Sequence, residues 1–249
     1  MRSCYNFLCF LTVKNSEDER IMTSISERLQ AVRTSIQQAA ANAGRPPQEV
    51  HLLAVSKAHP SIALREAYAA GQRMFGENYL QEALAKQTEL ADLAIEWHFI
   101  GPIQSNKTQA IAQHFDWVHS VDRLKIAERL HAARPTSKSP LQICLQVNVS
   151  NEESKSGLTP DEALSLAHEI QGLPALKLRG LMAIPAPTSD TQLQRQQFHQ
   201  VRSLFQQLQQ QGLTLDTLSI GMSEDFPAAI AEGATIVRIG SAIFGTRNP

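Results

Sequence analysis

His51-Leu-Leu-Ala-Val-Ser-Lys57-Ala-His-Pro60 is the stretch whose reading decides the fold. Its apolar run is short, continuous and rich in strand formers, and it stops at Ser56-Lys57. Such a run is a strand covered on both faces, as in a parallel sheet. Pro60-Ser61 then opens a helix through Leu64, Ala67 and Tyr68, which Gly71 closes. A lysine at the exit of a buried strand keeps its stem against the core and its amine at the strand's carboxyl end. In α/β folds, ligand sites are built at that end. The competing reading is a lysine that simply reaches past the strand into solvent, and this segment alone leaves both open.

Working outward, Ser24 and Ser26 are candidate N-caps of a leading helix with Ile25, Leu29, Val32, Ile36 and Ala39/Ala40 on one face. Downstream, short apolar strands alternate with amphipathic helices. Strands are expected at Arg73–Phe75, Ile95–Ile100, Trp117–Val121, Leu141–Val149, Leu176–Ile184, Leu215–Ile220 and Thr235–Ile239. Between them, helices run from Gly76-Glu-Asn78 to about Leu93, from Asn106, from Asp122 as a cap to Ala133, and from Thr159-Pro-Asp-Glu162. A long glutamine-rich helix follows over Asp190–Gln211, with Leu193, Phe198, Val201, Leu204, Phe205 and Leu208 as its buried stripe, and a last one over Glu224–Glu232. About eight strands, each followed by a helix or turn, predict a single (β/α)8 TIM barrel with an extra N-terminal helix over its lower end.

Bulk properties agree with one domain. The chain has 249 residues, 43% of them hydrophobic, enough for one sizeable core. Its 23 Lys and Arg against 24 Asp and Glu leave no electrostatic footprint for nucleic acid or an acidic membrane. Cys4, Cys9 and Cys144 show no CxxC spacing, so neither a disulfide scaffold nor a zinc site is expected, and a reducing cytoplasm fits. The eight histidines show no metal-ligand spacing, and no metal is expected. Phe7–Val13 is too short to span a bilayer and is followed by no small-x-small cleavage site. Residues 1–21 are therefore expected to be a disordered extension, and 22–249 the barrel domain.

On a barrel, the residues just past each strand share one face. Here they are Lys57, Asn78, the His98–Gly101 turn, Ser120, the Asn148–Lys155 loop, Met182, Ser223, Arg238 and Gly240-Ser241. Gly221-Met-Ser223-Glu-Asp225 and Gly240-Ser241-Ala242 follow the last two strands and each enters a helix. Small residues there let backbone amides reach an anion, at the usual phosphate position of this barrel class. Glu224 and Asp225 read as an acidic first turn. Arg238, in a strand of Ile236, Val237 and Ile239, is either an inward site cation or part of a structural ion pair. A lysine amine and a phosphate cradle across one mouth suit the two ends of pyridoxal 5'-phosphate (PLP). A class I aldolase would use the same parts, but with its lysine on a later strand.

These residues resemble a known family. LLAVSK (52–57), FGENYLQE (75–82), WHFIGPIQSNK (97–107), SVDR (120–123), NVSNEESKSG (148–157), LRGLMAIP (178–185), SIGMSEDFPAAI (219–230) and VRIGSAIFG (237–245) are similar to the pyridoxal phosphate homeostasis protein family, from about Met22 to Arg247. The resemblance implies a PLP-binding barrel of fold type III, like that of alanine racemases. It makes Lys57 the Schiff-base lysine, with Ser223, Gly240 and Ser241 on the phosphate, Arg238 facing an unprotonated pyridine nitrogen, and Asn78 near the ring. It implies a monomeric PLP binder that buffers the cofactor and passes it to apo-enzymes, with no catalytic residues assigned. Racemases of this fold add a second domain with a tyrosine, which this chain is expected to lack. A PLP-dependent amino-acid racemase is the alternative. His59 stands where many relatives carry lysine or tyrosine, Arg247-Asn-Pro249 lacks the C-terminal lysines of some, and Lys155 is a secondary candidate contact.

Overall fold

The computed structural model describes residues 24–149 and 156–246. Among them one closed barrel forms, its strands in sequence order. They are β1 (His51–Val55), β2 (Met74–Glu77), β3 (Glu96–Phe99), β4 (Trp117–Val121), β5 (Leu141–Val147), β6 (Leu176–Ala183), β7 (Thr217–Ser219) and β8 (Ile236–Ile239). Every neighbouring pair is parallel, and β1 closes the ring on β8 with Leu53 opposite Arg238.

The outer helices are α1 (Ile25–Asn42), α2 (Ser61–Ala69), α3 (Leu80–Glu89), α4 (Thr108–His114), α5 (Leu124–Ala133), α6 (Pro160–Ile170), α7 (Thr191–Gln210), α8 (Phe226–Ala231) and the single turn α9 (Ser241–Phe244). Outward-facing strand residues such as Ala54, Phe75, Phe99, Val118, Leu145 and Val237 pack with them into the main core. Phe75, Phe115 and Phe198 are fully buried there, and truncating any one to alanine costs about 3–5 kcal/mol. Inside the barrel, Trp117, Cys144 and Met182 form a separate apolar cluster.

Local chemistry sets several helix starts. Ser24, not Ser26, caps α1 in a capping box with Glu27, and Thr159 does the same for α6 with Glu162. Asp122 does not cap α5: its carboxylate takes Arg123 Nη1 at 2.6 Å instead, and Arg123 occupies the cap position. Leu193 is not part of the buried stripe of α7, being 41% exposed. The helix phase turns Gln194 inward, and its amide donates to the Thr188 carbonyl at 2.7 Å. Strand β2 runs on through Gly76 and Glu77, because their backbones pair with β3.

The leading helix α1 lies beside α2, α8 and α9 in the outer layer, rather than across the barrel's lower end. Arg28 Nε donates to the Ile243 carbonyl at 2.6 Å, and the Ile25 amide to Glu66 at 2.9 Å. The extension expected over 1–21 lies outside the described residues. Among those described, no helix is long and apolar enough to cross a membrane.

Candidate functional site

Strand β1 carries Ser56-Lys57 to the carboxyl end of the barrel, and a buried cluster fixes the turn that follows. Ser56 is fully buried, and its hydroxyl donates to Glu77 Oε1 at 2.6 Å. Lys86, on α3, reaches under the turn. Its Nζ donates to the Ser56 carbonyl at 2.8 Å, to Glu77 Oε1 at 2.7 Å and to Glu82 Oε1 at 2.5 Å. Glu82 Oε1 also accepts the Ala58 amide at 2.6 Å. Ala58 has φ +62°, a left-handed conformation that a residue with a Cβ adopts only when its surroundings impose it. Lys57 is thus held between a clamped strand end and a clamped turn. Burial pushes the Glu77 carboxyl above the ordinary glutamate range, while Lys86 opposes the shift.

Asn78 follows β2. Gly101 packs against its backbone, where a Cβ would stand 2.2 Å from the Asn78 carbonyl oxygen, so only glycine fits. The Asn78 side-chain oxygen Oδ1 is buried without a hydrogen-bond partner among the described residues.

Across the mouth, the turn after β7 begins at Gly221 (φ +92°) and runs through Ser223 to α8. Asp225 Oδ1 accepts the Met222 amide at 2.5 Å, tightening this turn rather than capping α8. Gly240 ends β8 against β1, and a Cβ there would stand 2.9 Å from the Val55 carbonyl oxygen. Ser241 then opens α9, and the first amides of a helix have no acceptor within it.

Arg238 is buried and, among the described residues, its hydrogen-bond partners are uncharged. Its Nη1 donates to the Ser219 carbonyl and to Ser219 Oγ (3.0 Å), and its Nη2 to the Ala183 carbonyl at 3.0 Å. Burial pushes the guanidinium down to about 10, with the Asp225 charge opposing, so it stays cationic at neutral pH. Burial raises Asp225 above the usual aspartate range, and Arg238 works against that shift.

Lys57, Asn78, Ser223, Arg238, Gly240 and Ser241 all line one cavity of about 590 Å³ at the carboxyl ends of the strands. Ile100, from the expected His98–Gly101 turn, lines it too, but others expected at this face do not. Ser120 donates to the Gly101 carbonyl at 2.5 Å, His98 is enclosed in the barrel interior, and Met182 packs on Trp117 and Cys144. Lys155 and residues 247–249 lie outside the described residues. Asp225, expected in an acidic helix start, lines the cavity, as do Thr188 and Gln194. Pro185 and Pro187, which break the strand pattern, were the available signal for that wall.

The family model described as "Alanine racemase, N-terminal domain" matches residues 28–248. The chain is 60% identical over 227 residues to the pyridoxal phosphate homeostasis protein of Pseudomonas aeruginosa, covering 91% of this chain and 97% of that one. The chain belongs to the pyridoxal phosphate homeostasis protein family. Another likeness is to PipY of Synechococcus elongatus, solved with PLP bound, at 43% identity and TM-score 0.79 over 89% of this chain and 100% of that one. Alanine racemase from Clostridium difficile matches at 13% identity and TM-score 0.65, over 87% of this chain and 57% of that enzyme, which shows the shared fold. The family's barrel and that of the racemases are therefore one architecture, as the resemblance implies.

Proposed function

We propose that this chain binds PLP in the cavity at the carboxyl end of the barrel, holds it through Lys57, and acts in intracellular PLP homeostasis by buffering the cofactor and delivering it to apo-enzymes. The observation that carries this reading is the convergence of Lys57, Arg238 and two small-residue loops on one cavity, where Asn78 Oδ1 is left unpartnered among the described residues. PLP supplies an aldehyde that takes up a primary amine with loss of water, on a flat ring that carries a phosphate.

The donor set fits such a group part by part. Lys57 is the amine, on a backbone clamped by Glu77, Glu82 and Lys86. Ser223, Gly240 and Ser241 supply hydroxyls and close backbone for the phosphate. Arg238 only donates hydrogen bonds, so it suits a ring nitrogen that keeps its lone pair. A nitrogen in that state withdraws electrons weakly, which favours holding the cofactor over amino-acid chemistry. The same reading makes the chain cytoplasmic and a monomer, and light scattering on the purified protein checks the monomer.

The test is an absorbance spectrum of the purified chain with PLP, before and after borohydride, followed by mapping of the labelled peptide. The expected label is on Lys57, and Lys57→Ala abolishes it. A label on another lysine overturns the assignment. Racemisation of alanine or serine that disappears in Lys57→Ala would overturn the storage reading in favour of a racemase.

A further inference from the structure

The barrel interior holds a line of polar side chains that crosses it from end to end. Arg238 Nη1 is 3.0 Å from Ser219 Oγ, Ser219 Oγ is 2.8 Å from His119 Nδ1, His119 Nε2 is 2.9 Å from His98 Nδ1, and His98 Nε2 is 2.9 Å from Glu96 Oε1. His98, His119 and Ser219 are fully buried, and Arg238 nearly so. Glu96 lies at the other end, on a second cavity of about 560 Å³ at the strands' amino ends, with His51, Trp117 and Arg179 in its wall.

With both rings neutral, the carboxylate end fixes the direction of every bond in the line. Arginine only donates and carboxylate only accepts. Ser219 Oγ accepts from Arg238, leaving its own hydrogen for His119 Nδ1. His119 then carries its proton on Nε2 and donates it to His98 Nδ1. His98 likewise carries its proton on Nε2 and donates to Glu96. All four bonds are satisfied with both rings neutral. Burial lowers both histidines, and for His119 the neighbouring His98 and Arg238 act in the same direction. The His98 ring also stacks on Trp117 at 5.4 Å and 10°, which holds its orientation.

We propose that Glu96, His98, His119 and Ser219 are positioning residues for Arg238, a one-way hydrogen-bonded chain that orients its guanidinium toward the ring of bound PLP from the opposite end of the barrel. This rests on the PLP reading above. The groups that face the chain from other elements are Asp116 and His51 near Glu96 and His98, and Asp225 and Cys144 near Arg238.

Nitrogen-15 spectra of the imidazoles decide the direction in the chain without PLP, with signals assigned through His98→Asn and His119→Asn or, if those do not fold, through the shift that Glu96→Gln gives His98. The expected result at pH 7 is two neutral rings protonated on Nε2. A doubly protonated His98 with His119 protonated on Nδ1 reverses the chain and overturns the proposal. With PLP, Ser219→Ala and Glu96→Leu are expected to weaken retention about tenfold, the effect of losing one hydrogen bond to a charged group, and to change the pH dependence of the bound cofactor's absorbance. Ser219→Thr and Glu96→Gln, which keep the acceptors, are expected to restore both. Wild-type retention and pH profile in Ser219→Ala and Glu96→Leu would overturn the proposal. A wild-type chain that takes up no PLP overturns the proposed function instead, and the imidazole tautomers still decide the chain's direction.

Discussion

Lys86 and Glu77 form a 2.7 Å ion pair in which the lysine side chain is 5% exposed and the glutamate 0%. Both lie directly behind the backbone that carries Lys57. Removing one partner of a buried pair costs about 3–5 kcal/mol, because the other charge is left uncompensated. Lys86→Met is therefore expected to lower unfolding stability by about 3 kcal/mol in urea titrations at neutral pH. The loss has a direction in pH. Glu77 binds its proton more tightly folded than unfolded, so its contribution is full at low pH and is lost as pH rises through its raised folded value. Without Lys86 to oppose burial, Lys86→Met is expected to be more destabilised at pH 8 than at pH 5.

Ala58 sits at φ +62°, immediately after Lys57. A β-branched residue resists that conformation more strongly than alanine. Ala58→Val is expected to cost about 1–3 kcal/mol in chemical denaturation and to weaken PLP uptake. Ala58→Gly, which suits a positive φ but adds entropy to the unfolded chain, is expected to stay within about 0.5 kcal/mol of wild type.

Asp225 places a carboxyl in the turn proposed for the phosphate, and burial raises it. Once ionised, it repels an anion there. Asp225→Asn keeps an acceptor for the Met222 amide and is expected to bind inorganic phosphate several-fold more tightly at pH 8. The gap between variant and wild type is expected to close as pH falls and the wild-type carboxyl takes up its proton. Calorimetry at two pH values reads this difference.

Cys144 is buried inside the barrel, and its thiol is pushed up to about 12 by burial. The thiolate is the reactive form, so alkylation of Cys144 in the native chain at pH 8 is expected to be negligible and to become rapid only in denaturant. Mass mapping of the alkylated peptide checks it.

Much of this architecture is written locally along the chain. The apolar run that stops at Lys57, the regular alternation of strands and helices, and the Gly-Ser turns after β7 and β8 each depend on neighbouring residues. That is why the barrel, Lys57 and the Gly-Ser loops of the cavity are legible without coordinates. Leu193 and Asp122 escape a local reading, because helix phase and cap geometry turn on a single residue, which tertiary packing settles.

Other features had no local signal. Lys86 sits in a polar helix and reads as a surface lysine until α3 folds under the Ser56 carbonyl. From its strand alone Arg238 fits a site cation or an ion pair equally, and only its neighbours across the barrel show a guanidinium held by Ser219 and Ala183. His119 and Ser219 meet across 100 positions of sequence. Sequence by itself determined the order of the strands and which residues stand near their carboxyl ends, because backbone propensity and apolar periodicity are local. Tertiary structure alone decided which polar side chains face one another inside the closed ring. That depends on the stagger of eight strands, which no single segment contains.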